Sequence, residues 1–185
     1  MECTKIIKEQ ALLLGFDAVG ITTADPLCDE HRRYFVQWLD KGNAAGMEYL
    51  HNNIEKRFDP TKLLDGAKSV ICVAINYKPA QSASGRPGYI ANFALYEDYH
   101  EFIKQRLKTL ADFITQAVPQ KIIQFKTCVD SVPLAERALA QRAGLGWIGK
   151  NKSLIHPALG CQLLLGELIT TLELTPDGPF KENLC

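Results

Sequence analysis

The stretch from Cys128 to Gly166, CVDSVPLAERALAQRAGLGWIGKNKSLIHPALGCQLLLG, carries the reading of the fold. It passes from a β-like run into a short amphipathic helix, Leu134 to Ala143, then through a glycine cluster into a second apolar run. One acid, Asp130, sits where the first run gives way to the helix. Few purely structural segments need several glycines, an isolated carboxylate and polar loop residues together. The stretch therefore reads as the wall of a cofactor or substrate pocket.

Gly144, Gly146 and Gly149 formally satisfy G-x-G-x-x-G. The dinucleotide fingerprint needs a strand before its glycines and a helix after them, and here the helix comes first. A phosphate-binding loop needs a different glycine spacing and a Ser or Thr after its lysine. Gly144 instead suits a helix C-cap, and Gly146 and Gly149 a tight turn. What remains is a loop whose backbone can approach a flat ligand, with Lys150, Asn151 and Ser153 offering polar contacts. Asp130 is open between two roles. With Ser131 it can cap the helix that begins near Pro133. Alternatively it can donate a proton, a role that calls for a buried or apolar setting. Glu136 and Arg137 are adjacent and face different ways on a helix. They read as solvated surface, with one of them able to brace the pocket.

Upstream, Lys121 to Thr127 reads as a strand. Glu97 to Val118 reads as the longest helix, with Ile103, Leu107, Leu110 and Ile114 at helical spacing. Tyr99 and His100 at its start suit a pocket, core packing or capping equally. Pro79 to Gly88, with two glycines, two prolines and two serines, is a lid or an ordinary surface loop. Ser69 to Tyr77 is apolar on both faces, as a central strand is. Met47 to Lys56 reads as a helix closed by Arg57, and Asp59-Pro60 starts a further helical turn. Arg57 can clamp an anionic or amide-rich ligand or make a surface ion pair. Glu30 to Asp40 reads as a helix with Tyr34, Phe35 and Trp38 inward. Asp17 to Thr22 reads as a strand, preceded by a helix from Thr4, its cap, to Leu14.

Downstream, Gln162 to Leu174 is one long apolar strand or two, and 175–183 is rich in turn formers. Strands and helices mix without a strict βαβ rhythm. The fold class expected is mixed α/β (α+β), a central β-sheet flanked by helices. The domain expected is 1–174, with 175–185 as a linker.

The 185 residues hold 46% apolar and 23% charged side chains, a globular composition. Acids and bases balance at 21 each, so no global field steers the chain to nucleic acid. No apolar run reaches membrane-spanning length, and the start, MECTKIIKEQ, is too polar for a signal peptide. No membrane partner and a cytoplasmic location are the expectations. Of six cysteines none forms a C-x-x-C pair, which excludes a zinc ribbon and a thioredoxin motif. Cys72 reads as a small core residue. His31, His51, His100 and His156 show no metal-ligand spacing.

Six segments carry a family resemblance: LGFDAVGI; MEYL with Arg57-Phe-Asp-Pro60 after it; SVICVAINY; EDYH; VDSVPLAERALAQRAGLGWIGKNKSLIHP; and LLLGELITTLEL. Together, over nearly the whole chain, they resemble the epoxyqueuosine reductases, cobalamin-dependent iron–sulfur enzymes of queuosine biosynthesis. The resemblance implies reduction of epoxyqueuosine to queuosine at the tRNA wobble position, with tRNA as partner. It implies cobalamin as catalyst, in a core like that of reductive dehalogenases. It also implies 4Fe–4S clusters in a ferredoxin-like module and an external electron donor. Asp130 matches the family's proton donor to the epoxide oxygen. Arg57, Asp130, Gly149, Lys150, Asn151 and Ser153 match the region lining the cobalamin.

The chain departs from the pattern in two places. Ser131 and Val132 stand where the family has Thr and then Gly or Ala, and Tyr96 stands where it has glycine. The family continues with the run C-x-x-C-x-x-C-x-x-x-C-P, of which Cys185 matches the first metal ligand. One thiolate cannot hold a cluster that needs four. The expectation is thus a cobalamin domain whose clusters lie outside this fragment, inactive by itself. The alternatives are a corrinoid-dependent reductase of another substrate and a non-catalytic corrinoid- or flavin-binding module.

Overall fold

A computed structural model of the chain describes residues 2–78 and 90–180. The loop read at Pro79 to Gly88 and the candidate ligand Cys185 lie outside the described residues. The apolar run of strand β2 (Ser69–Asn76) lies between β1 (Ala18–Thr23) and β6 (Leu163–Thr170), and β3 (Phe125–Cys128) pairs with the far side of β6. All three pairings are antiparallel. Because β2 has a neighbour on each side and helices on both faces, it can be apolar throughout.

Alternation along β2 divides the core. Ile71 and Val73 join Ile21 and Leu168 under α1 (Glu2–Leu13) and α4 (Tyr99–Ala117). Val70, Cys72 and Ala74 face the other way, toward α5 (Glu136–Arg142) and the buried Phe58 at the end of α3 (Ile54–Phe58). In α4 the spacing expected from sequence holds, and Ile103, Leu107, Leu110 and Ile114 are all fully buried. The mixed α/β class is thus observed as an antiparallel sheet between two helical layers.

Several expected elements differ. The helix read over Met47 to Lys56 is a 3-10 turn, Glu48–His51, followed by α3. Asn53, in the left-handed region at φ 55, separates them, so Arg57 lies inside α3 rather than closing a longer helix. In α2 (Asp29–Asp40), Leu39 is the buried residue, Phe35 and Trp38 are half-buried, and Tyr34 is 63% exposed. Thr4 lies within α1, and its hydroxyl accepts from the Thr175 N–H at 3.2 Å instead of capping. The strand expected from Lys121 begins only at Phe125, and Ile122 is 98% exposed. The run to Leu174 is one strand, β6, ending at Thr170.

The glycine cluster behaves as a turn. Gly144 follows α5 at φ 83 and donates to the Gln141 carbonyl, while Leu145 donates to that of Ala140. These two bonds are those of a Schellman motif. The chain then enters the hairpin of β4 (Trp147–Ile148) and β5 (Leu154–Ile155). Residues 175–180 run against the body: Asp177 exchanges bonds with the Ile21 main chain, and the Phe180 ring stacks on Trp147 at 5.6 Å. No described helix is long and apolar enough to cross a membrane.

Candidate functional site

The expected site residues come together around the first turn of α5. Ahead of it, residues 129–134 form tight turns, with Ser131 N–H turned back to the Val129 carbonyl and Leu134 N–H to that of Val132. Asp130 sits at φ 48, a conformation that L-residues other than Asn and Asp seldom adopt. Its carboxylate does not cap α5. The N-cap is Ala135, with no side-chain bond, and the Asp130 N–H instead donates to Glu136 Oε1 at 2.7 Å. The capping reading of Asp130 is therefore overturned.

The Asp130 carboxylate faces the start of α4. Tyr99 Oη donates to Oδ2 at 3.3 Å, and His100 Nε2 lies 3.5 Å from the same oxygen. His100 Nδ1 in turn contacts Asp98 Oδ1 at 2.7 Å, and the Tyr99 and His100 rings stack at 4.1 Å. The bond to Asp98 raises the His100 pKa above its ordinary value, and Asp130 adds to it. Burial, then the negative charge of Asp130, pushes the Tyr99 hydroxyl up to about 12, so it remains a donor. The Asp130 side chain itself is 67% exposed. The buried setting expected around it is absent; the half-buried and buried acids are different residues.

Those acids are Glu136 and Glu167, and sequence reasoning missed both. Glu136, read as surface, is carried inward on the first turn of α5, and burial pushes its carboxyl up to about 7. Glu167, in the middle of β6, is 0% exposed, and both its oxygens lack a hydrogen-bond partner among the described residues. It pairs with Cys72 on one side and Cys128 on the other, so all three side chains share the face that packs on α5. Burial first, and Glu136 second, drive the Glu167 pKa well above the carboxylate range. Burial likewise keeps both thiols protonated. The available signal for Glu167 was a single acid in the otherwise apolar run LLLGELIT.

Arg57 reaches the same place from α3. Its carbonyl accepts from the Ala135 N–H at 2.9 Å, and its guanidinium lies 5.1 Å over the Phe35 ring. Burial lowers its pKa, and its Nε is buried with no partner among the described residues. It makes no ion pair within that set, contrary to the surface-pair reading. Such a desolvated donor suits a ligand carrying carbonyl or anionic oxygens.

The third component is the β4–β5 loop. Gly149 N–H donates to the Ser153 carbonyl, and Lys152 N–H returns a bond to Gly149, each at 2.9 Å. Asn151 Oδ1 accepts from the Ser153 N–H at 3.0 Å, so that oxygen serves the loop itself. Lys150 is exposed, and the Arg137 guanidinium ties the Lys152 carbonyl to α5. Arg57, Asp130 and this loop are therefore linked through Ala135, Glu136 and Arg137 rather than by contacts with one another. No described group of three His, Cys, Asp or Glu residues is placed to hold a metal ion.

Residues 57–131 match the family described as epoxyqueuosine reductase QueG, DUF1730. Over 179 residues the chain is 40% identical to an epoxyqueuosine reductase of Leadbetterella byssophila, covering 97% of this chain and 58% of that protein. The solved epoxyqueuosine reductase of Streptococcus thermophilus superposes with a TM-score of 0.88 at 34% identity, over 98% of this chain and 49% of that one. Another epoxyqueuosine reductase, solved with an epoxyqueuosine-modified tRNA-Tyr stem loop, gives 0.84 at 29% identity, over 97% and 48%. A reductive dehalogenase described with a mechanism for B12-dependent dehalogenation shares the fold alone, at 0.57 and 17% identity over 96% and 20%. The chain thus spans about half the length of the curated relatives it matches.

Proposed function

Because the chain is a relative of the epoxyqueuosine reductases and spans about half their length, we propose that it is the part that binds cobalamin and reduces epoxyqueuosine in tRNA. The observation carrying this reading is Asp130. It is a carboxylate held at φ 48, open to solvent, with Tyr99, His100 and Glu136 fixing it from two sides.

The residues present fit a corrinoid. Arg57 offers a buried donor with no partner among the described residues, and Lys150 and Ser153 offer polar groups on a glycine-started turn. Cobalamin bound there would supply the reducing equivalents that open the epoxide. Asp130, whose side chain is open to solvent, takes up a proton from water and delivers it to the departing epoxide oxygen, which spares the reaction a free alkoxide. Tyr99 and His100 orient the carboxylate through Oδ2. Electrons arrive from iron–sulfur clusters outside these residues, fed by an external donor. A tRNA substrate would place the protein in the cytoplasm.

Titration of the chain with cob(II)alamin, followed by absorption, tests the cofactor. A saturable spectral change is expected for the wild type and for Asp130→Asn alike, and no change at high protein concentration would overturn the corrinoid reading. With the cluster-bearing half supplied, Asp130→Asn should lower turnover of epoxyqueuosine-tRNA at least about a hundredfold. Full activity in that variant would remove Asp130 from the proton-transfer step. Turnover of an organohalide but not of the modified tRNA would favour a reductase of another substrate.

A further inference from the structure

The Asp130 main chain is held from the helix that follows it. Glu136 reaches back from the first turn of α5 and accepts the Asp130 N–H at 2.7 Å. This is the reverse of a helix cap: the helix supplies the acceptor and the preceding loop supplies the amide. Asp130 lies in the left-handed region, and its neighbour Ser131 turns back on Val129. A turn of this shape persists only where its surroundings over-determine it. On the face of β6 that packs against α5 lies Glu167, fully buried and without a partner for either oxygen among the described residues.

We propose that Glu136, backed by the buried Glu167, is the positioning residue for Asp130: its carboxylate holds the Asp130 main chain, and the hold weakens when that carboxylate takes up a proton. The inference rests on the reading of Asp130 as the proton donor. Two carboxyls that face each other across α5 and β6, one half-buried and one fully buried, disfavour a second negative charge. The single charge belongs to Glu136, because only Glu136 has stabilising groups around it. The Asp130 N–H faces it from the loop, Arg137 from α5 and His100 from α4; the Asp130 carboxylate opposes it. Among the described residues Glu167 has no hydrogen-bond donor, with the neutral thiols of Cys72 on β2 and Cys128 on β3 beside it in the sheet, and stays protonated. A backbone N–H binds an ionised acceptor more strongly than a neutral one. Since burial brings Glu136 to about 7, the hold tightens across neutral pH.

The test uses the 15N-labelled 185-residue chain with neither cofactor nor tRNA. Its failure would leave the role of Asp130 untouched, and loss of that role would leave this result standing. In the wild type the Asp130 amide shift should titrate with a midpoint near 7. Glu136→Gln keeps an acceptor oxygen and should preserve the turn while abolishing the midpoint. Glu136→Ala should speed exchange of the Asp130 amide about tenfold. Glu167→Gln mimics the protonated acid and should leave the midpoint in place, whereas Glu136→Gln should move the Glu167 carboxyl titration to lower pH. A midpoint surviving in Glu136→Gln belongs to His100 and overturns the proposal. So does unchanged amide exchange in Glu136→Ala; if that variant does not fold, the glutamine comparison decides.

Discussion

At the residue scale, two acids in the second core layer govern how stability varies with pH. Glu136 has its folded-state pKa raised, by burial, from 4.5 to about 7. Between those values the folded chain binds more protons than the unfolded one, so stability falls as pH rises. The contribution is fully present below about 4.5 and lost above about 7, a swing of about 3 kcal/mol. Glu167 acts in the same direction, with its loss at higher pH. Urea unfolding at pH 5.5 and 8 should show the wild type weaker at pH 8, with the difference markedly smaller in Glu136→Gln. An equal difference in both would place Glu136 in water. Neither the half-burial of Glu136 nor the full burial of Glu167 was legible in local pattern. Glu136 sits beside Arg137 in a sequence that looks solvated, and only the contact of α5 with β6 turns one of the pair inward.

At the element scale, α5 is the part on which the site hangs, and local sequence signals mark its C-terminal end better than its start. Gly144 closes it as expected, whereas its N-cap is an alanine and its first turn is braced by Arg57 and Asp130 from outside. Arg142 pins the helix to the end of β1. It donates to Thr22 Oγ1 at 2.9 Å, to the Pro26 carbonyl at 3.2 Å and to the Thr23 carbonyl at 2.7 Å. Arg142→Met keeps the aliphatic stem and removes all three bonds. A loss of about 2–4 kcal/mol in urea unfolding is expected, and a loss below about 0.5 kcal/mol would show the anchor to be dispensable. The close approach has a second requirement. A Cβ on Gly20 would lie 2.1 Å from the Ala143 carbonyl oxygen, so only glycine fits on β1 there. Elements with strong local periods, α4 and β2, were readable. The 47–56 segment was not, because the left-handed Asn53 interrupts a pattern that looks continuous.

At the scale of the whole molecule, the segment 175–180 joins both ends of the chain. Asp177 bonds the Ile21 main chain twice and Lys8 Nζ at 2.7 Å, and Phe180 covers Trp147. A chain ending at residue 174 should lose about 1–3 kcal/mol in thermal or urea unfolding. An unchanged midpoint would instead make 175–185 a linker in the full sense. The sequence by itself determined the long elements α4, β2 and β6 and the central place of β2, because those follow from side-chain period and from apolar runs with no polar face to expose. It also marked Asp130 and the glycine loop as unusual. Only the tertiary structure decided that Asp130 faces solvent while Glu136 is half-buried and Glu167 fully buried. Burial of a charge depends on which strand a helix lands against, and residues so distant in sequence leave no local pattern to record that meeting.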